Sequence, residues 1–594
     1  MCGIVGYIGS ENAKPIIIEG LKTLEYRGYD SAGIALLNDD INIYREVGKI
    51  KNLEAALPSS ASSNIGIGHT RWATHGKPSV ENSHPHHSMN KYITLVHNGV
   101  IENYLEIKED LINKGYTFYS ETDTEVIANL LECKYLEYND ITKAIQSIIE
   151  IMHGSYALGI ILKDDRETIY CLKNKTPMLA GKGNGFNMIG SDAMALINQT
   201  DEFYEINDKE YLIIDKDKIS IFDKNGNSIK RDTFKSSINN QDINLGVYDH
   251  YMLKEIDEQP SVIRKIVKEY IADDKLQINQ EILDELNKAD RLYIIASGTS
   301  MHAGLVGKHM IEELAKKPVE VHLGSEFGYN RPLLSERPLF IFISQSGETA
   351  DSRVALQSIK DLGFKTLTIT NVAGSTLARE SDYNLLLHAG PEIAVASTKA
   401  YVAQTTLLAL LANHLGNNKL DIQLELSKVV IAIEDIISKK TIIKEIVADK
   451  IMDASTAFYI GRGVDYCTAL EAALKLKEIS YIHTEGFASG ELKHGTIALI
   501  ENSVPVIGII SQDNIALNTR SALQEVEARD AKVITIVQER LSNKNDDIIV
   551  LDTNPLLSSI AMVVASQLIS YYAALLLEHD VDQPRNLAKS VTVE

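Results

Sequence analysis

The sequence predicts an α/β chain in consecutive parts: a β-rich unit over residues 1–240, a linker and leading helix over 241–280, and two tandem doubly wound units with parallel sheets over 281–430 and 431–594. Three observations point there. A hairpin signal closes the first part, a segment of the second half recurs at a fixed offset, and within each copy short β-branched runs alternate with longer helical patterns.

In the first part, Ile219–Phe222 and Ser228–Lys230 flank Lys224-Asn225-Gly226-Asn227, the Asn-Gly turn that matches the twist of a hairpin. Residues 231–247 are polar and read as a linker. Helical periodicity resumes near Met252, with Ile256, Val262, Ile263, Ile266 and Val267 on one face. The repeat follows. Leu292–Gly298 matches Ala457–Gly463 at an offset of 165, Ile343-Ser344-Gln345 recurs as Ile510-Ser511-Gln512 at 167, and Phe364–Thr370 recurs as Ala531–Val537 at 167. Near the end, Asn554–Leu577 is long enough to cross a membrane but carries Ser558, Ser559, Ser566, Gln567 and Ser570 and an acidic flank, so a buried helix is expected.

Composition narrows the function. With 594 residues, 44% hydrophobic and 24% charged, the chain has the make-up of a soluble multidomain protein. A formal charge of −22 argues against nucleic acid as the main partner, so any phosphate must be met locally. Only four cysteines occur, Cys2, Cys133, Cys171 and Cys467, without close pairs, which suggests neither a disulfide framework nor a thiolate metal site. A cytoplasmic location is expected, since no basic region precedes an apolar leader. His84-Pro85-His86-His87 is read as a polar surface loop rather than a metal tract, and no metal and no cofactor are expected.

The candidate chemistry begins at Cys2. Removal of Met1 would leave its thiol beside its own α-amine, which titrates near pH 8 and serves as a base without a histidine. An ordinary small residue after an initiator is the plain alternative, and three segments tell against it. Gly68–Gly76 offers Arg71, Trp72, Thr74 and His75, with a guanidinium that forks onto carboxylate. The turn after the apolar run Tyr92–Val96 holds Asn98 and Gly99, an amide and a backbone N–H of the kind an oxyanion requires. Ser120–Glu125 forms a capping box, with Thr122 as N-cap and Glu125 three residues on, while leaving Asp123 free to meet an ammonium.

In the second half, ligands are expected at the carboxyl ends of parallel strands. There the first copy has Ser297-Gly298-Thr299-Ser300 and Ser344-Gln345-Ser346-Gly347-Glu348-Thr349, each running from strand into helix, where hydroxyls and free N–H groups cradle phosphate without lysine. One such loop alone would be simple N-capping; two adjacent ones, followed by Val395–Lys399, favour phosphate. The second copy has Asp465 and Asp513 at the matching positions, so one phosphate site is expected per pair. Its helix instead places Glu471, Lys475 and Glu478 on one face, either a solvated ion-pair ladder or, with His494 in a Gly-bounded turn nearby, a proton-shuffling set.

By these motifs, residues 2–125 resemble the N-terminal-nucleophile glutamine amidotransferases, and the repeat is similar to the sugar isomerase (SIS) domain pair. The resemblance implies an N-terminal four-layer αββα sandwich, then two SIS domains. It also implies that Cys2 attacks glutamine, that Asn98 and Gly99 hold the oxyanion, and that Arg71, Trp72, Thr74, His75 and Asp123 grip the amino acid, with Trp72 as gate for ammonia. Thr299, Ser300, Ser344, Gln345, Ser346, Thr349, Val395 and Ser397 would bind the sugar phosphate. Lys589, in a tail that composition alone would dismiss as frayed, would form a Schiff base with open-chain fructose 6-phosphate. His494, contributed across a homodimer, would open the ring, and Glu478 with Lys475 would move the proton that gives glucosamine 6-phosphate. The short linker resembles bacterial forms, for which no nucleotide-sugar inhibition is expected. Two rivals share parts of the pattern: an amidotransferase acting on another substrate, and a sugar-phosphate sensor, which would need neither Cys2 nor Lys589.

Overall fold

The computed structural model describes residues 2–73, 75–235, 244–273 and 275–591, in two compact units: residues 1–244 with 590–594, and Leu245–Lys589. In the first unit an eight-stranded antiparallel sheet has Gly3–Gly9 near its middle, between Phe186–Gly190 and Ile65–Arg71. A seven-stranded antiparallel sheet carries Ile93–Ile101 between Gly154–Leu162 and the short strand His86–His87. Ile4, Ile8, Val96, Ile161 and Ile189 fill the space between the sheets. Helices Asp123–Tyr138 and Ile141–Ile151 cover the outer face of the second sheet through Val126, Leu131, Ile145 and Ile148. Helix Ala13–Thr23 covers the first sheet at Gly66 and Gly68, where a Cβ at Gly68 would lie 2.5 Å from Ile17. The result is the four-layer sandwich.

Three features differ from the sequence reading. Asn98 and Gly99, expected in a turn after Val96, lie within strand Ile93–Ile101, paired with Ala157 and Tyr156. Phe234–Lys235, placed in the linker, is an edge strand paired with Glu202–Glu205; residues 236–243 of that linker lie outside the described residues. The His84–His87 tract is not a surface loop: His84 and His86 are buried, because the tract runs as an edge of the second sheet beneath helix Asp123–Tyr138. The hairpin at Ile219–Phe222 and Ser228–Ile229 forms as expected.

The second unit opens with helix Tyr251–Tyr270 and contains two five-stranded parallel sheets of one design. In the first, Val319–Leu323, Arg291–Ala296, Pro338–Ser344, Thr366–Thr370 and Tyr383–Leu386 lie side by side; in the second the order is His483–Ala488, Thr456–Gly461, Pro505–Ile510, Lys532–Gln538 and Ile548–Val550. Each sequence repeat is thus a structural repeat, with strand order 2-1-3-4-5. Strand alternation sends Leu292 and Ile294 to one core and Tyr293 and Ile295 to another, so both faces are covered by helices. The two copies share the larger core, which includes helix Ser558–Leu576. That helix is the one span among the described residues long and apolar enough to cross a membrane, and 89% of its most apolar window is buried in the protein.

At the end of Thr456–Gly461 the chain turns so tightly that a Cβ on Gly461 would stand 2.4 Å from the backbone of Asp465. Replacing Gly461 by Ala should therefore cost about 1–3 kcal/mol through overpacking, read as a lowered unfolding midpoint in calorimetry.

Candidate functional site

Strand register sets the first site. Gly3 pairs with Thr70, which brings Cys2 beside Arg71 and Trp72. The Cys2 Sγ donates to the Trp72 carbonyl at 3.4 Å and accepts the Trp72 N–H at 3.2 Å. Burial pushes the thiol pKa up, opposed by the Trp72 hydrogen bond and the Arg71 charge. A base is needed to form the thiolate.

Asn98 lies on the neighbouring sheet. Its Nδ2 donates to the Cys2 carbonyl at 3.0 Å and to Ser191 Oγ at 2.8 Å, while its Oδ1 meets His69 Nε2 at 3.0 Å. His69 Nε2 also meets the His97 carbonyl at 3.0 Å, and burial drives its pKa down to about 3. Two acceptors on one nitrogen require the Nε2–H tautomer of a neutral ring, which fixes which end of the Asn98 amide points at Cys2. Gly99 follows with φ +128°, and a Cβ there would sit 2.0 Å from the Ser155 carbonyl, so only glycine fits.

Cys2 and Gly99 border one cleft, with Arg71, Trp72, His75 and Asp123 around it. Arg71 Nη2 is held by the His75 and Gly76 carbonyls, and its buried Nη1 has no hydrogen-bond partner among the described residues, so a donor remains for a carboxylate. Asp123 accepts the Ile101 N–H at 3.0 Å. Thr122 caps the helix by accepting the Glu125 N–H at 3.3 Å, but the Glu125 carboxylate reaches Tyr119 and Ser120 rather than closing the expected capping box. Trp72 is half-buried, edge-on to Tyr29. Thr74 lies outside the described residues.

The second site lies in the Leu245–Lys589 unit, at the carboxyl ends of the first parallel sheet. Ser344 Oγ pairs with Thr349 Oγ1 at 2.9 Å and accepts the Gly347 N–H at 3.0 Å; Ser346 Oγ accepts the Glu348 N–H at 3.2 Å. Gln345 follows Ser344 in the same strand-to-helix turn. Ser300 Oγ is held by Gln404 Nε2 at 2.9 Å. Thr299 turns elsewhere, donating to Glu471 of the second copy at 3.0 Å.

Glu471, Lys475 and Glu478 are not a solvated ladder. The Lys475 side chain is 1% exposed and reaches Glu478 at 2.6 Å and Glu471 at 3.6 Å. Burial pulls its pKa down, but the two carboxylates outweigh that and leave it above the usual lysine value. Glu471 also meets His302 Nδ1 at 2.7 Å. His494 stands apart on the exposed turn Glu491–His494 and makes no hydrogen bond to this group.

Lys589 is drawn inside. Its Nζ donates to Glu392 Oε2 at 2.5 Å, the Ala394 carbonyl at 2.9 Å and Ser397 Oγ at 3.1 Å. Val395, beside them, is tied through its N–H to the Asp582 carbonyl at 2.9 Å. In the second copy, Asp465 occupies the position of Ser300 and accepts the Ser511 N–H at 2.9 Å together with its hydroxyl.

Residues 69–198 match the glutamine amidotransferase domain family, and residues 285–414 and 450–577 each match the SIS domain family. A glutamine–fructose-6-phosphate aminotransferase (isomerizing) of Listeria innocua is 53% identical to this chain, and one of Staphylococcus aureus 54%, each match covering 100% of both chains. The chain belongs to the isomerising glutamine–fructose-6-phosphate aminotransferase family. The chain is also similar to the C-terminal domain of the Francisella tularensis glucosamine-fructose-6-phosphate aminotransferase, with TM-score 0.55 and 35% identity over 57% of this chain and 100% of that one.

For this aminotransferase family member, sequence reasoning missed Ser191, His69, Glu392, Glu255 and His302. Only Glu392 had a usable signal, a carboxylate three residues before the Val395 loop. Glu255, on helix Tyr251–Tyr270, accepts the Ile393 and Ala394 N–H groups, and burial together with the nearby Glu392 charge pushes its pKa up to about 8. A carboxyl group with a raised folded pKa favours the fold at low pH, and that contribution is lost as pH rises from the usual carboxylate range through about 8. Glu255→Gln should therefore gain stability over the parent as pH rises toward about 8, with the difference shrinking near pH 5, as measured by unfolding midpoints across that range.

Proposed function

We propose that the protein converts glutamine and fructose 6-phosphate into glutamate and glucosamine 6-phosphate, passing ammonia from the first unit to the second. The observation that carries this reading is that one chain, coextensive with its aminotransferase relatives, contains both a thiol beside a fixed carboxamide and a lysine drawn into a sugar-isomerase fold.

Cys2, with Met1 removed, attacks the glutamine side-chain amide, and the departing nitrogen leaves as ammonia. Asn98 and Gly99 supply the oxyanion donors. Arg71, Trp72, Thr74, His75 and Asp123 hold the amino acid. The Arg71 Nη1 supports this, since it has no hydrogen-bond partner among the described residues and belongs to a side chain that lines the cleft.

In the second unit, Ser300, Ser344, Gln345, Ser346, Thr349, Val395 and Ser397 take the sugar phosphate, while the Thr299 side chain is engaged by Glu471. Lys589 condenses with the C2 ketone, and ammonia then displaces it. Glu478, paired with Lys475, transfers the proton between C1 and C2. His494 opens the ring. Its exposure, and the lack of a hydrogen bond from it to the Lys475 cluster among the described residues, support delivery from a second copy, hence a homodimer. Division at residues 240, 280 and 430, a cytoplasmic location and operation without a cofactor complete the reading.

Incubating the purified protein with glutamine and fructose 6-phosphate should yield equal amounts of glutamate and glucosamine 6-phosphate; glutamate alone would favour an amidotransferase for a different acceptor, and neither product a sensor. Cys2→Ala should abolish glutamine-dependent synthesis while synthesis from concentrated ammonium salts persists. Mass spectrometry of active material should find Cys2 at the N-terminus, and full activity with Met1 retained would overturn the role given to the α-amine.

A further inference from the structure

No motif singled out the carboxylate that meets Lys589, yet its setting is specific. We infer that Glu392 is the counter-ion of the Lys589 Schiff base, keeping that iminium protonated and so electrophilic toward ammonia; this rests on the role proposed above for Lys589.

The resting geometry already matches the need. All three N–H donors of the Lys589 ammonium are used, by Glu392, Ala394 and Ser397, and the side chains of Lys589 and Glu392 are 2% and 0% exposed. Condensation with the ketone forms one C–N bond and breaks the C–O bond. The oxygen leaves as water with two of the three ammonium protons, and the third stays on nitrogen as the iminium N–H. Charge is +1 before and after, at the same atom. A site built to hold a buried cation at Nζ therefore holds the intermediate with little rearrangement, since the compensating charge is already in place.

Neighbouring groups leave this task to Glu392. Glu255 faces it from helix Tyr251–Tyr270 but spends its Oε1 on the Ile393 and Ala394 amides, and its pKa of about 8 leaves it mostly protonated at neutral pH. Glu258 pairs with Lys399 at 2.6 Å, and Glu471 and Glu478 are occupied by Lys475. Glu392 stays ionised. Burial opposes its charge, but Lys589 and the N–H groups of Ala400 and Thr398, at 3.0 and 2.9 Å, outweigh burial and hold its pKa below the usual value. Those amides belong to the start of helix Lys399–Leu415, whose dipole favours an anion there.

An iminium deprived of this carboxylate loses its proton more readily, and a neutral imine is a poor target for ammonia. The test compares rates of glucosamine 6-phosphate formation against pH in the full-length protein, at saturating substrates, for the parent, Glu392→Gln, Glu392→Asp and Lys589→Arg. In Glu392→Gln the alkaline fall in kcat should move to lower pH by about 1–3 units, the usual effect of one adjacent opposite charge. Glu392→Asp should show a smaller displacement in the same direction. A lowered rate whose pH profile runs parallel to the parent's would mean that Glu392 only shapes the loop, and would overturn the inference. If the amide variant does not fold, an unmoved alkaline limb in Glu392→Asp does the same. Retained synthesis in Lys589→Arg, by contrast, would remove the Schiff base itself, an outcome separable from either.

Discussion

Burying the ammonium of Lys589 is the constraint around which the second unit is arranged. Taking such a charge out of water costs several kcal/mol even after relaxation, and three layers of structure offset it. Glu392 supplies the opposite charge, and the first turn of helix Lys399–Leu415 keeps Glu392 ionised through the Thr398 and Ala400 amides. Glu255, on a helix that arrives from the start of the unit, holds the intervening Ile393 and Ala394 in place and accommodates the crowding of carboxylates by keeping a proton. The tail must thread inward for any of this to form, which it does with Asp582 tying the Val395 amide and capping helix Tyr251–Tyr270 through the Tyr251 and Met252 N–H groups.

The first unit solves an easier problem by different means. Its nucleophile is a thiol whose pKa burial pushes up, so placement rather than compensation dominates. Pairing of Gly3 with Thr70 sets where Cys2 lies, and pairing of Asn98 with Ala157 fixes the carboxamide on the facing sheet. Neutral buried imidazoles pack between them: the His69 and His84 rings stack with centroids 4.1 Å apart, and burial holds both pKa values far below the ordinary histidine range. Rigid, uncharged donors of this kind orient an amide without adding a field of their own.

Much of this was legible in the residues. Strand alternation and the 165–167 offset give the two parallel sheets, because a repeated pattern of apolar and turn residues leaves little choice of packing. Hydroxyl-rich turns at strand ends are equally visible, since their chemistry is local. What escaped was everything made by contact between distant segments. The His84–His87 tract is polar by composition, as a surface loop would be, yet it enters the edge strand His86–His87 under a helix, and only the fold shows that its imidazoles have partners in Thr122, Thr124 and Tyr119. Glu471, Lys475 and Glu478 have the spacing of an exposed ladder; helix packing, not spacing, buries Glu471 and Lys475 and leaves Glu478 half-buried beside them. Glu255 and Glu392 lie 137 positions apart in sequence and could not be joined by any local rule.

Asp465 gives the duplication an asymmetric meaning. Where the first copy keeps an open hydroxyl turn, the second folds a carboxyl of its own onto Ser511, buried with a pKa pushed up to about 7. A tethered acid in that niche leaves no vacancy for a sugar ester. Freed from gripping a ligand, the adjoining helix Val464–Ser480 can turn its reactive side toward its twin, where Glu471 touches Thr299 and His302. One half of the duplicated architecture has become the reagent shelf of the other.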